Sequence, residues 1–167
     1  VVFGTKDNTV DNYYSYIRCN DEEHLLRSFQ AYWREVSPDI VTGWNVEGFD
    51  IPYLINRCNR VMGDDFTKKF SPFHGSIDKC ITPYEIKAQK INSFDIVGIS
   101  IVDYLPLYKK YSTATLESYR LDVVARYELG IGKVDYSEYD GLMGLYEGII
   151  SESAIKEKPD LVQVKRE

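Results

Sequence analysis

Along VVFGTKDNTVDNYYSYIRC, β-branched and aromatic residues alternate with polar ones, a period-two pattern that predicts two strands joined near Asp7 and Asn8. The period then changes. Leu25, Leu26, Phe29, Tyr32, Trp33 and Val36 recur at helical spacing behind an Asn20 and Glu23 pair that resembles a capping box, and Ser37-Pro38 ends the run. Residues 39–42 read as a short buried strand and 43–48 as the loop leaving it. Asp50 is placed to cap a second helix with Pro52 in its first turn and Leu54, Ile55, Cys58, Val61 and Met62 on its apolar face, closed by Gly63. Residues 64–75 predict a short helix and a loop around Ser71-Pro72. Segments 76–82, 91–95 and 97–102 predict hairpin or sheet strands. Residues 104–111 and 120–129 predict helices, the second with Leu121, Val124 and Ala125 on one face and Gly130 at its end. This alternation favours an α/β domain with a mixed sheet.

After Glu147 the text becomes charged and loses its aromatic residues, and Pro159 interrupts a potential helix, so we divide the chain into a domain over 1–147 and a divergent tail over 148–167. The first residue, Val1, lies inside an apolar run, as expected of a chain that extends upstream. With 167 residues, 44% hydrophobic and 28% charged, the composition excludes a disordered, collagen-like or coiled-coil chain. No apolar run suits a membrane span or a signal peptide, so the expected setting is soluble, intracellular and cytoplasmic, with no membrane partner. Cys19, Cys58 and Cys80 are far apart and read as reduced thiols; with only His24 and His74 beside them no zinc site is indicated. A net charge of −6 is opposite in sign to that of a free-standing nucleic-acid binder, so any nucleic-acid contact must be local or metal-assisted.

Chemistry concentrates in residues 39–58, DIVTGWNVEGFDIPYLINRC. A strand, a loop and a helix there place Asn45 and Asp50 beyond a strand end, where open α/β sheets hold their sites. Spacing alone favours the plain reading: Asp50 as a helix cap, Asn45 as a turn residue, Trp44 and Phe49 as core. A single carboxylate does not make a divalent-cation site, since two-metal hydrolysis needs several acidic ligands. Asp103, at a strand end before a helix, reads as an acceptor for that helix's amides. Lys109, Lys110, Arg120, Arg126 and Lys133 read as solvated helix faces before phosphate guides. Tyr108, Tyr111 and Tyr119 fit core packing and base stacking equally well.

The string TGWNVEGFDIPYLINR resembles the second exonuclease motif of family B DNA polymerases, phage-type replicative enzymes in particular, with Asn45, Phe49 and Asp50 in the expected places. Residues 98–111 and 116–133 resemble the same domain further on, and the helix ending in Trp33-Arg34-Glu35 fits it upstream. The resemblance covers roughly residues 12–147. It implies a ribonuclease-H-like mixed sheet flanked by helices, incomplete at both ends and with a hairpin insertion. It also implies 3′–5′ proofreading: two-metal hydrolysis, with Mg²⁺ or Mn²⁺, at the 3′ end of single-stranded DNA, beside the rest of the polymerase. By similarity Asp50 would be a catalytic metal ligand, Asn45 would support the strand terminus or the neighbouring loop, and Phe49 would pack nearby.

Two of the family's three acidic motifs are missing. The Asp-x-Glu of the first has no replacement among Asp7, Asp11 or Asp21-Glu22-Glu23. The Tyr and Asp of the third are not matched by Lys156 and Asp160, with Pro159 between them. The chain is therefore expected to be inactive or nearly so alone. The alternative is a non-catalytic module on the same fold that binds single-stranded DNA or docks to the polymerase. Sheet edges left open would favour self-association.

Overall fold

The computed structural model describes residues 1–7, 15–76, 79–87, 91–133, 136–141, 144 and 151–157. The chain divides into two compact units, Val1–Thr115 and Leu116–Glu167.

The first unit is α/β. Its strands form three two-stranded ladders among the described residues: β1 (Val2–Gly4) with β2 (Tyr16–Arg18), β3 (Ile40–Gly43) with β6 (Ser100–Asp103), and β4 (Ile81–Ile86) with β5 (Ile91–Ile96). The first two are parallel and the third is an antiparallel hairpin. The two expected strands are present, but they pair in parallel, so a turn near Asp7 and Asn8 does not by itself join them. A parallel pair needs a crossover, and no tight turn near Asp7 can supply one. Residues 8–14, which hold that predicted turn, lie outside the described residues.

Helix α1 (Glu22–Val36) begins one residue later than the predicted capping box requires. Asp21 is the cap, accepting the His24 N–H at 2.8 Å, and His24 Nδ1 in turn accepts the Asn20 N–H, so His24 does what was expected of Glu23. Leu26, Gln30 and Trp33 form the inward stripe of α1. Gln30 Nε2 donates to the Phe66 carbonyl at 2.6 Å and Trp33 Nε1 to the Phe70 carbonyl at 3.1 Å. These bonds tie α1 to α3 (Asp64–Thr67) and the 3₁₀ turn Lys68–Phe70.

Helix α2 (Ile51–Met62) buries Ile51, Ile55 and Cys58, spaced four and then three residues apart, into the same core as Leu26, Phe66, Phe70 and Ile96. Burial there, with some help from the Glu22 charge, pushes the Cys58 thiol up to about 11. All three cysteines are buried and unpaired by disulfides. Arg57, on the outer side, makes an ion pair with Glu22 of α1.

The strand limits differ from those predicted. β3 alternates exposed and half-buried positions, and Ile40 is exposed; only one face of this short ladder packs on the core, so a β-branched run did not mean burial on both sides. β4 starts at Ile81, not at residue 76, and residues 77–78 lie outside the described residues. The predicted strand 97–102 begins later than expected: residues 97–98 form a turn, and β6 starts at Ser100 and runs to Asp103. Gly98 there has φ 92° and lies against Pro72 and Phe73 so closely that an added Cβ would meet their side chains at 2.7 Å. α4 (Tyr104–Tyr111) follows β6 directly, as predicted.

In the second unit, α5 (Leu121–Leu129) ends at Gly130 in the left-handed region. Val124 is buried but Leu121 is exposed, correcting its assignment to the apolar face. A short helix, α6 (Glu152–Glu157), lies in the predicted tail. No helix among the described residues is long and apolar enough to cross a membrane.

Candidate functional site: the corner after β3

Parallel pairing of β3 with β6 brings both C-terminal ends to one side, and the register sets Gly43 beside Asp103. The chain leaving β3 therefore passes over the Asp103 carboxylate. Oδ1 accepts the N–H groups of Asn45 and of Leu105, each at 2.9 Å, and Oδ2 accepts the Glu47 N–H at 3.1 Å. Asp103 is 6% exposed. It caps α4, as the sequence suggested, and at the same time fixes a loop 56 to 58 residues away. Burial, and then the Asp103 charge, hold the Glu47 carboxyl above the usual carboxylate range.

Asn45 adopts φ 64°, a left-handed conformation that Asn tolerates better than most residues, and its carbonyl accepts the N–H groups of Gly48 and Phe49. Its side chain lies over Gly48, where any Cβ would meet Asn45 Oδ1 at 2.5 Å. A side chain at position 48 would have to displace the Asn45 carboxamide, and Asn45 is the turn residue that spacing suggested. Trp44 is half-buried with its ring 5.6 Å from that of Tyr108 on α4. Tyr111, by contrast, is 71% exposed, which removes it from the core.

Val46–Asp50 form one π-helical turn that runs straight into α2. Asp50 consequently has helical φ and ψ, −66° and −48°, and makes no capping hydrogen bond. The plain reading of Asp50 as a cap is corrected: a cap must sit outside helical geometry for its oxygen to reach back to the N–H groups, and the π-turn has already started the helix. The side chain is exposed. Phe49, expected in the core or packed nearby, is instead 63% exposed. It stacks on Tyr53, one helical turn on and 62% exposed, with centroids 6.2 Å apart and planes 13° from parallel. Tyr53 was not singled out from sequence, although its four-residue spacing from Phe49 on a helix carried the signal.

The other carboxylates weighed for the missing motifs have structural tasks. Asp7 pairs with Arg18 at 2.7 Å, Asp21 caps α1, Glu22 pairs with Arg57, and Glu23 pairs with Arg27 at 2.8 Å. Lys156 lies on α6, while Asp11 and Asp160 are outside the described residues. Among the described residues no group of three or more His, Cys, Asp or Glu side chains is assembled to hold a metal ion.

A buried strand-end carboxylate, a left-handed Asn and an exposed aromatic-acid pair on the next helix turn form a solvent-exposed corner of the α/β unit. The family model for the exonuclease domain of DNA polymerase family B matches residues 3–124. The chain is 39% identical over 121 residues to a DNA-directed DNA polymerase of Escherichia phage RB69 and 38% identical over 121 residues to that of Enterobacteria phage T4; each match covers 72% of this chain and 13% of the relative. A shorter match of 45 residues, 26% of this chain and 4% of the relative, is 50% identical to the DNA polymerase delta catalytic subunit of Drosophila melanogaster. The chain belongs to the exonuclease-domain family of family B DNA polymerases, and with it to the ribonuclease H-like fold. It spans 13% of the length of the phage relatives.

Proposed function

We propose that this chain serves the 3′–5′ proofreading exonuclease of a replicative DNA polymerase in the cytoplasm, and that the corner receives the 3′ end of single-stranded DNA. The observation that carries the reading is the Phe49 and Tyr53 pair, stacked, exposed and beside the exposed Asp50 carboxylate, which makes no capping hydrogen bond. Exposed aromatic faces are stacking platforms for bases. Asn45 fixes the turn that presents them. Asp50 is the residue that would ligate Mg²⁺ or Mn²⁺ in a complete centre, where the ions would supply the attacking hydroxide and offset phosphate charge.

The donor set described here does not fit a two-ion centre by itself. Asp50 belongs to no group of three or more potential ligands among the described residues, and hard cations need several oxygen ligands. No hydrolytic step is therefore assigned to this chain, and the alternative, single-stranded DNA binding or polymerase docking without cleavage, draws its support from the same single carboxylate.

The test uses a 5′-labelled oligothymidylate in Mg²⁺. The expected result is binding without shortening, weakened about tenfold by Phe49→Ala with Tyr53→Ala, since stacking contributes about 1–3 kcal/mol per base. Undiminished binding by that variant would refute the platform. Shortening of the strand that disappears in Asp50→Ala would refute inactivity.

We assign the polymerase-related function to residues 1–147, with 148–167 a divergent tail; a chain truncated after 147 is expected to bind the oligonucleotide equally. Two-stranded ladders favour pairing with a second copy through their edges, and a monomer by sedimentation at high concentration would rule that out.

A further inference from the structure

At the other end of the β3 and β6 ladder, where both strands begin, lies a cleft of about 190 Å³ between the end of α1 and the turn after the 3₁₀ helix. Its ionisable lining groups are Arg34, Lys69 and His74, and none of its lining residues is acidic. In a chain of net charge −6 such a grouping is a local reversal of sign. Arg34 and Lys69 are exposed, and neither makes an ion pair or hydrogen bond among the described residues.

The walls are held by internal hydrogen bonds and ring contacts. Trp33 is held by its bond to the Phe70 carbonyl and by an edge-to-face contact with the Phe70 ring, centroids 5.5 Å apart. Ser71 is buried; its hydroxyl donates to the Val97 carbonyl at 2.7 Å and accepts the Phe73 N–H at 3.1 Å. The His74 ring is fixed by Nδ1, 3.0 Å from the Ser71 carbonyl. Two exposed cations that line a cleft walled by Trp33 and Phe70 and make no ion pair among the described residues are suited to an anion that offers several acceptor oxygens.

We propose that this cleft binds a phosphate group, and that the phosphate is one of a nucleic-acid strand. Four-residue strands separate it from the Asp50 corner by roughly 10 Å of ladder, so the cleft is a second contact and not part of the corner. The choice of a nucleic-acid strand as the source rests on the function proposed above, whereas phosphate binding by the cleft does not.

The test is NMR on the ¹⁵N-labelled full chain, titrated separately with oligothymidylate, thymidine monophosphate and inorganic phosphate. The readouts are the Trp33 indole and Ile99 amide signals, with the Trp44 indole as the reporter for the corner. The expected result is a saturable shift of Trp33 and Ile99 that weakens with salt. In Arg34→Ala with Lys69→Ala, two exposed changes, affinity should fall about tenfold, or about 1.4 kcal/mol. Tighter binding of the strand than of either small ligand supports a nucleic-acid source. Equal binding of all three retains phosphate recognition and overturns the strand as its source. No saturable shift at Trp33 and Ile99, or the same affinity in the double variant, overturns the proposal.

Discussion

Asp103 and Asp50 stand at the same end of one parallel ladder and have opposite fates. Asp103 is buried, and both its oxygens are occupied by backbone N–H groups from two separate segments. Asp50 is exposed, has helical backbone geometry and makes no capping bond. A buried carboxylate must be satisfied internally because desolvation is costly, whereas an exposed one in a helix contributes almost nothing to folding. The difference separates the residue that builds the corner from the residue the corner presents.

Breaking the builder should have the largest effect. Asp103→Ala leaves three N–H groups without their acceptor and is expected to cost about 3 kcal/mol, read from urea unfolding. Asp103→Asn should fall between parent and Ala, because the amide keeps one acceptor but turns a donor toward the Glu47 N–H. Equal losses for both variants would show that the two-oxygen arrangement does not matter.

Gly48→Ala tests the turn itself. The added methyl must displace the Asn45 carboxamide, and a loss of about 1 kcal/mol is expected, with amide shifts confined to residues around 45–49. A silent substitution would mean that the Asn45 side chain does not rest on Gly48.

A smaller effect attends Glu47. Its raised pKa means that the folded state holds this proton more tightly than the unfolded state, so stability falls as pH rises from the unfolded to the folded pKa. Glu47→Gln should therefore raise the unfolding midpoint slightly at neutral pH and leave it unchanged near about pH 3, where the carboxyl is protonated in both states. A rise of equal size at both pH values would place its origin elsewhere.

Much of this was legible in the sequence because it is local. α1, α2 and α4 follow from helical spacing, a Ser-Pro stop and a strand-end Asp, and the Asn45 to Asp50 motif marked the corner. What was not legible depends on pairings distant in the chain. The register of Gly43 with Asp103 decides which amides Asp103 can reach, and no pattern within either strand encodes it. The parallel pairing of β1 with β2 is of the same kind. The misreading of Asp50 as a cap has a different cause: one extra residue per turn over Val46–Asp50 shifts the helix start, and spacing rules for an α-helix do not register a π-turn. Phe49 looked like core for the reason that exposed aromatic residues often do, since composition does not tell a residue that packs inward from one left in solvent.

The most direct measurement is urea unfolding of Asp50→Ala and Asp103→Ala beside the parent chain. The expected outcome is a change within about 0.5 kcal/mol for Asp50→Ala and a loss of about 3 kcal/mol for Asp103→Ala. A loss at Asp50 that matches or exceeds the loss at Asp103 would show that Asp50 serves the fold, and would contradict the assignment of this corner to an external ligand.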